Sequence, residues 1–341
     1  MRRRKFILNT AGIALGDYAL SSLQSEERPT LPTIKPKGLI KGDLIGITAP
    51  AGCIWNLAHV SKIEKILADL GFRTAVGKTV NEQIGFLAGN DEMRANELME
   101  MYQNKSIRAI LTMRGCWGCA RILDLLDYEI IKSNPKVLMG FSDITSLINA
   151  IYTKTGMVTY HGPCGYSSWG DFSTQQVINS VVKGVPFTMK NPDDNLEDLN
   201  IWSAGKAQGE LVGGNLTVVA SMIGTNFEPN WKGKLLFLEE ISEEPYRVDR
   251  MLWQMKQAGV FNKINGLIIG ELVDMEDTDP SFGKSTDEIV MDICGDMDIP
   301  IITNFPCGHG KYQATLPISI PVELNANLES PALTILESPV S

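Results

Sequence analysis

The sequence predicts an α/β fold of two domains. Short apolar runs alternate with segments whose apolar residues recur at helical spacing, which is the pattern of successive βαβ units and of a parallel sheet. The 341 residues are enough for roughly two domains of ~150 residues each. Apolar residues make up 44% of the chain and charged residues 21%, which is a globular composition.

The N-terminal domain, predicted over residues 38–165, begins with a buried strand. Leu44–Thr48 is a continuous apolar run that ends at a proline turn. A helix follows, with apolar residues at helical spacing from Val60 to Leu70. Asn90 is placed as the N-cap of a second helix over Asp91–Met101. The other predicted elements are strands at Phe72–Val76, Ile107–Met113, Lys136–Met139 and Met157–Tyr160 and helices at Ile122–Leu126 and Ile144–Tyr152.

A change of composition separates the two predicted domains. Residues 166–205 contain clusters of Gly, Ser, Asn, Asp and Pro, which predicts a linker. A second α/β domain is expected over residues 206–330, followed by a tail over residues 331–341. Its predicted strands are Glu210–Gly214, Lys234–Leu238, Gly266–Gly270 and Ile299–Ile302, with a helix that carries Val248, Leu252 and Met255 on one face.

The N-terminus has the layout of an export signal over residues 1–21. Arg2–Lys5 are four consecutive cations before an apolar stretch, and this run resembles a twin-arginine signal. Ala19–Ser21 offers a cleavage site between small residues. Asp17 interrupts the apolar stretch, so the alternative is a cytoplasmic protein with a basic tail. We expect an exported, periplasmic protein in which residues 22–37 form a linker or arm.

Charge and hydropathy exclude two classes of partner. The chain has 31 basic and 40 acidic residues, a formal net charge of −9, and so lacks the basic surface of a non-specific nucleic-acid binder. No run approaches the ~18 apolar residues of a membrane-spanning helix, so we expect no membrane insertion of the mature chain.

A chain of this length can bury a sufficient apolar core, so the six cysteines are not needed as disulfide cross-links. Cys116 and Cys119 have the spacing of a redox motif, and a zinc site would need His161 and Cys164 as the second ligand pair. Such cysteines are usually small, buried side chains of the core. The sequence therefore predicts neither a metal nor another cofactor.

One strand-to-helix junction suits nucleophilic catalysis. The strand that ends at Met139 runs into Gly140-Phe141-Ser142-Asp143 and then directly into a helix. In a parallel sheet this junction lies at the carboxyl end of a strand, where ligands bind, and a helix N-terminus favours a developing oxyanion. Ser142 is therefore a candidate nucleophile, and the alternative is that it only caps the helix. The second glycine of the α/β-hydrolase elbow is absent.

A serine nucleophile needs an imidazole and a carboxylate, and the chain has three histidines. His309 lies between two glycines on a predicted loop, which favours a site rather than a core. His59 lies among apolar positions of a helix, whereas His161 follows a strand and could line the same cleft. Glu239 ends an apolar strand, where a charge is costly without a partner. The alternative for Glu239 is an exposed strand end.

Several short segments lie over about residues 38–325. Each is a weak signal by itself, but together and in this order they are highly specific. They are Met113–Gly118, Pro135–Lys136, Gly140–Thr145, His161–Pro163, Gly213–Leu216, Leu236–Glu239, Pro245–Arg250, Gly308–His309 and Thr315–Pro317. Together they resemble the serine LD-carboxypeptidase family, which includes muramoyl-tetrapeptide carboxypeptidases and microcin-immunity peptidases. The resemblance implies a flavodoxin- or amidotransferase-like parallel-sheet domain followed by a mixed α/β domain.

The resemblance also implies a catalytic triad of Ser142 as nucleophile, Glu239 as acid and His309 as base. It implies an oxyanion hole made by the backbone N–H groups of Asp143 and Cys116. Cys116 replaces a glycine of the family pattern, and a turn with positive φ disfavours a cysteine. The implied site lies in the cleft between the two domains.

The implied substrate is a small muropeptide, hydrolysed at the L,D-peptide bond to a C-terminal D-alanine. Arg114 is a candidate for the substrate carboxylate, with a structural pairing as the alternative, and His161 is a second candidate binding residue. The resemblance further implies a homodimer. The alternatives are a microcin-type peptide-nucleotide peptidase and a non-catalytic periplasmic solute-binding protein. A glutamine-amidotransferase-like enzyme would need a cysteine where Ser142 stands.

Overall fold

The structure is a computed structural model that describes residues 31–192 and 199–341. The predicted export signal, residues 1–21, lies outside the described residues. The predicted α/β class is confirmed, because helices pack around two separate sheets and the N-terminal sheet is mainly parallel.

The first sheet holds the strands predicted for the N-terminal domain. Five of its strands pair in parallel, and the sixth joins its edge antiparallel from far along the chain. The central strands are apolar and buried on both faces, as expected when helices cover both sides of a parallel sheet. In spatial order the strands are β12 (Leu316–Pro317), β5 (Tyr160–His161), β4 (Val137–Gly140), β3 (Ile107–Thr112), β1 (Leu44–Thr48) and β2 (Arg73–Val76).

The helices of this half begin and end where local residues dictate. The side chain of Asn90 accepts a hydrogen bond from the N–H of Met93 at 2.8 Å, so the predicted N-cap is confirmed. Gly156 ends the helix after β4 with a left-handed backbone. The helices are α1 (Ala58–Asp69), α2 (Asp91–Gln103), α3 (Tyr128–Ser133) and α4 (Ile144–Thr155), with 3-10 turns at Lys78–Asn81 and Cys119–Leu125.

The second sheet is mixed. Its four central strands are parallel, and antiparallel strands flank them on both sides. In spatial order they are β6 (Phe187–Met189), β14 (Ala332–Ile335), β13 (Pro321–Ala326), β8 (Gly205–Asn215), β9 (Leu235–Ile241), β10 (Gly266–Val273), β11 (Ile301–Phe305) and β7 (Asn200–Ser203).

The remaining helices belong mostly to the second half. Ser285 and Glu288 form a capping box at the last of them, and a proline stands in the first turn of another. They are α5 (Asp171–Val177), which continues as a π-helix over Ile178–Lys183, α6 (Leu216–Met222), α7 (Pro245–Gln257) and α8 (Thr286–Cys294).

Two predicted boundaries need correction. Residues 166–205 are not only a linker, because they contain α5, β6 and β7, and the two strands lie at the edges of the second sheet. Residues 331–341 are not a free tail, because β14 pairs with β13 and the hydroxyl of Tyr160 donates to the carbonyl of Pro339 at 2.7 Å. These elements are only three to seven residues long, so the composition of the longer segments that contain them concealed them.

The arm also contacts the body of the protein. Ile34 forms a parallel bridge to Met157, with its N–H donating to the carbonyl of Gly156 at 2.9 Å. Within the two described ranges, none of the helices is long and apolar enough to cross a membrane.

Candidate active site

The turn between β4 and α4 presents Ser142 in a strained conformation. Its φ is +65°, a left-handed value that is uncommon for a residue other than glycine. The N-cap of α4 is Asp143, and no side chain caps it, so the alternative role of Ser142 as a helix cap is wrong. Gly140 is required before the turn, since a Cβ there would overlap Oγ1 of Thr112. The strain holds a partly exposed hydroxyl at the carboxyl end of the first sheet.

A second tight turn, Gly115-Cys116, packs directly against Ser142. A Cβ added to Gly115 would lie 2.7 Å from Cβ of Ser142 and 2.8 Å from the backbone nitrogen of Asp143. Only glycine allows this approach. Cys116 has φ +80°, a left-handed backbone conformation that favours glycine. The cysteine therefore adopts the conformation that was expected to disfavour it. The two proposed oxyanion donors, Cys116 and Asp143, therefore belong to turns in contact.

Asp143 and Cys119 tie the two turns together. The buried carboxylate of Asp143 accepts a hydrogen bond from the N–H of Cys119 at 2.7 Å. Burial raises the pKa of Asp143, and it raises the pKa of the Cys119 thiol well above its ordinary value. All six cysteines are free, so the redox spacing of Cys116 and Cys119 does not form a disulfide in this structure.

Glu239 lies near the end of β9 and is fully buried, so the alternative of an exposed strand end is wrong. Its Oε2 is 2.7 Å from Nδ1 of His309. Burial by itself would raise the pKa of Glu239, but the imidazoles of His161 and His309 outweigh it and lower that pKa to about 2. The carboxylate is therefore ionised at neutral pH.

His309 reaches this carboxylate because glycines flank it. Gly308 has φ +102°, and a Cβ there would press against the side chain of Glu239. Burial lowers the pKa of His309, yet the carboxylates of Glu239 and, more weakly, Glu240 dominate and raise it. The ring centroid of His309 is 4.7 Å from that of Phe141, the residue before Ser142. This contact places the imidazole beside the nucleophile turn.

The comparisons with known proteins agree with this geometry. Residues 45–162 match the LD-carboxypeptidase N-terminal domain, and residues 208–324 match the LD-carboxypeptidase C-terminal domain. The chain belongs to the serine LD-carboxypeptidase family. It is therefore a serine peptidase, and the alternative of a non-catalytic solute-binding protein is set aside.

Individual relatives of this chain carry two kinds of name. The chain is 34% identical over 295 residues to the Bacillus subtilis protein named "Probable murein peptide carboxypeptidase". The matched region covers 85% of this chain and 91% of the relative. It is 26% identical over 330 residues to the microcin C7 self-immunity protein MccF of Escherichia coli, and the match covers 87% of this chain and 94% of MccF. A crystal structure of an MccF-like protein from Bacillus anthracis superimposes with a TM-score of 0.81 at 30% identity, covering 89% of this chain and all of that one.

Arg114 lies beside the Gly115-Cys116 turn. Its guanidinium carbon is 3.9 Å from the ring centroid of Trp55 and 5.1 Å from that of Tyr166. Nη1 donates to the carbonyl of Cys53 at 3.3 Å, and Nη2 contacts Sγ of Cys116. Within the described residues these contacts use two of the five donors of a guanidinium, which leaves donors for a ligand.

Trp55 and Tyr166 were missed by the sequence analysis. Both belong to loops that follow strands of the first sheet, β1 and β5, at the carboxyl edge where ligands bind in parallel sheets. That placement was the available signal. Trp55 is 58% exposed and has the ring of Phe86 at 6.3 Å, so an aromatic rim lies next to the oxyanion turn.

His161 is not placed as predicted. It is 1% exposed and lies next to the buried Glu239, so it does not line an open cleft or contact a substrate.

Within the described ranges, no group of three or more His, Cys, Asp or Glu side chains could hold a metal ion.

Proposed function

We propose that this LD-carboxypeptidase releases the C-terminal D-alanine of a murein tetrapeptide by cutting an L,D-peptide bond. The observation that carries the proposal is the convergence of three groups from distant strands. The ionised carboxylate of Glu239 binds His309, and His309 packs on the residue that precedes the strained Ser142. The name of the Bacillus subtilis relative supports a murein peptide as the substrate.

In the proposed mechanism His309 acts first as a base. Its Nδ1 is held by Glu239, so Nε2 is the nitrogen that takes the proton from Oγ of Ser142. Oγ then attacks the carbonyl carbon of the L-residue and forms a tetrahedral oxyanion. Glu239 stabilises the imidazolium that results, and burial of the pair strengthens that interaction.

The backbone N–H groups of Cys116 and Asp143 are proposed to bind the oxyanion. Both follow residues that pack together at the two turns, so they approach the same point. When the intermediate collapses, the C–N bond breaks and Nε2–H of His309 protonates the leaving amine of the D-amino acid. Water, deprotonated by His309, then hydrolyses the ester on Ser142 and restores the enzyme.

Arg114 is proposed to bind the carboxylate of the departing D-amino acid. A carboxypeptidase must recognise that charge, and a guanidinium is suited to it by charge and geometry. The rings of Trp55 and Tyr166 both lie close to the guanidinium and help to hold it next to the proposed oxyanion turn.

The test uses the full chain and its Ser142→Ala variant. Each is incubated with a murein tetrapeptide, and free D-alanine and tripeptide are followed by mass spectrometry. We expect release by the parent and none by the variant, with circular dichroism showing that both are folded. A folded parent that releases no D-alanine would contradict the muropeptide assignment.

A microcin-type substrate is the second candidate, because MccF is a relative over 87% of the chain. The same pair of proteins is therefore incubated with a peptide-nucleotide of that type. Cleavage of that compound, with no release of D-alanine from the tetrapeptide, would assign the second function and leave Ser142 as the nucleophile.

A further inference from the structure

His161 lies where the two sheets meet and has no part in the mechanism above. It is the second residue of β5 and pairs in register with Gly140, near the end of the strand that leads to Ser142. Its side chain reaches across to Glu239 on β9 of the other sheet. The contact therefore joins the nucleophile strand to the strand of the acid.

One carboxylate stands between two imidazoles. Nε2 of His161 is 3.6 Å from Oε1 of Glu239, while Nδ1 of His309 is 2.7 Å from Oε2. His161 is 1% exposed and Glu239 is fully buried. Among the described residues, Oε1 and both ring nitrogens of His161 have no hydrogen-bond partner. Unpaired buried polar atoms are rare and costly, and a small approach would pair Nε2 with Oε1.

Apolar rings leave His161 little choice of partner. Its ring meets Phe141 edge-on at 6.0 Å and Phe237 edge-on at 5.0 Å. The ring of Phe141 also contacts His309, so both imidazoles pack against the same aromatic ring. The polar atom that His161 faces at ion-pair distance is Oε1 of Glu239.

We propose that His161 is a positioning residue whose Nε2–H donates to Oε1 of Glu239. The bond keeps this buried carboxylate turned so that Oε2 meets His309. His161 acts through Glu239 and touches no substrate. The inference rests on the triad of the proposed function, but it does not depend on which peptide is cut.

The bond has a direct effect on the base. A donor on Oε1 draws negative charge away from Oε2, so its removal strengthens the attraction of Glu239 for the imidazolium and raises the pKa of His309. Three other ionisable groups lie in the surroundings of His309 and Glu239, namely Glu240, Cys307 and Glu271. Glu240 is held by Asn215 and Thr217, and the thiol of Cys307 faces Glu239 and Glu271. These groups are the same in parent and variant, so the change in pKa reports on His161.

The first experiment compares the full-length parent with His161→Phe and His161→Gln on the cleaved peptide. We expect His161→Phe to lower kcat roughly ten- to a hundredfold, the usual effect of losing a hydrogen bond to a charged group, with KM unchanged. The acid limb of its kcat/KM profile moves to higher pH. His161→Gln keeps an N–H donor of similar reach and recovers most of kcat. As a control, His59→Gln removes an imidazole from α1 and leaves the acid limb in place.

A second readout does not need the natural substrate. A fluorophosphonate phosphonylates an activated serine with loss of fluoride, and the pH dependence of labelling at Ser142 reports the same base. A shift of that profile in His161→Phe supports the proposal even when the tetrapeptide is not cut, in which case only the proposed substrate fails. A parent whose Ser142 is not labelled overturns both the triad and this role.

An unchanged kcat and an unchanged acid limb in folded His161→Phe would overturn the proposal and leave His161 as a space-filling side chain. Should His161→Phe not fold, His161→Gln is compared with His161→Asn, whose donor is too short to reach Oε1. Equal kcat and equal acid limbs in that pair would overturn the proposal as well.

Discussion

Glu239 is charged in a place from which solvent is excluded, and its charge persists because imidazoles face both of its oxygens. The carboxylate in turn raises the pKa of His309. Since the base must be neutral to accept a proton, activity should rise as the pH passes upward through this raised pKa. The contact between Glu239 and His309 therefore contributes to both shifts, and His161 adds to the lowering of the Glu239 pKa.

Glu239→Gln should separate these effects. The amide removes the negative charge, so the pKa of His309 falls and the acid limb of kcat/KM moves to lower pH. We expect kcat to fall on the order of 10⁴-fold, as for loss of the carboxylate in other triads. The pH profile of D-alanine release measures both. An acid limb that stayed in place would mean that another group sets it.

Arg114→Ala tests recognition of the substrate carboxylate. We expect KM to rise roughly ten- to a hundredfold, since a hydrogen bond between charged groups is lost, while kcat changes little. Arg121→Ala is the matched control, because that guanidinium pairs with Asp91 instead. Steady-state kinetics on the tetrapeptide decide the matter, and an unchanged KM would remove Arg114 from this role.

Ser142, Glu239 and His309 could be chosen from the sequence because each has a local signal: a strand-to-helix junction, a charge that ends an apolar strand and a histidine between glycines. The environment of His161 had no such signal. Its partner lies 78 positions away on the other sheet, and only the packing of β5 against β9 brings them together.

The Gly115-Cys116 turn shows how an element can carry strain for a function. Its backbone has to approach Ser142, and Cys116 adopts φ +80° to complete it. A backbone N–H serves as an oxyanion donor whatever side chain the residue carries, so the cost of the cysteine falls on stability and not on catalysis.

Cys116→Gly should therefore stabilise the protein. Left-handed backbone costs a residue other than glycine about 1 kcal/mol, part of which the greater entropy of unfolded glycine offsets. We expect the free energy of unfolding to rise by up to about 1 kcal/mol with kcat retained. Cys116→Ala is the control, since it removes the thiol and keeps the strain. Denaturant unfolding of the three proteins measures the difference, and a loss of stability in the glycine variant would contradict the assignment of strain.

At the scale of elements, apolar runs predicted the central strands of both sheets, because a strand buried on both faces has to be apolar. The strands β6, β7 and β14 were not predicted, and β6 and β7 are the two edges of the second sheet. An edge strand satisfies only one side of its backbone and tolerates polar side chains, so its sequence resembles a loop. Their place in the second sheet is decided by pairing with β14, β11 and β13, respectively, which composition does not encode.

The whole molecule depends on how the two sheets are held in register across the site. Nδ2 of Asn149 on α4 donates to the carbonyl of Gly213 on β8 at 2.9 Å. The N–H of Asn215 donates to Oγ1 of Thr145 at 3.0 Å. These buried bonds fix the helix behind Ser142 against the strand beside Glu239. A site between the two domains is the prediction from the sequence, but these bonds could not be predicted, since they join residues about 60 to 70 positions apart.

Asn149→Ala should loosen this connection. The carbonyl of Gly213 is left unpaired in a buried place, so we expect the free energy of unfolding to fall by about 1–3 kcal/mol. Misalignment of Ser142 and His309 should lower kcat more than it changes KM. Asn179→Ala, which removes bonds to Gln175 and Lys183 at the surface, is the control and should stay within about 0.5 kcal/mol of the parent. Equal stability of the two variants would contradict this role for Asn149.

The strand β12 has a consequence for the order of synthesis. It contributes residues 316–317 to a sheet whose other strands are all complete by residue 161. On the ribosome, the outer edge of β5 therefore remains without its neighbour until residues 316–317 have emerged. An N-terminal half produced alone would keep that edge open, and an open strand edge recruits other chains into aggregates. The sheet that bears the candidate nucleophile thus has five strands translated by residue 161 and its sixth only after most strands of the second sheet.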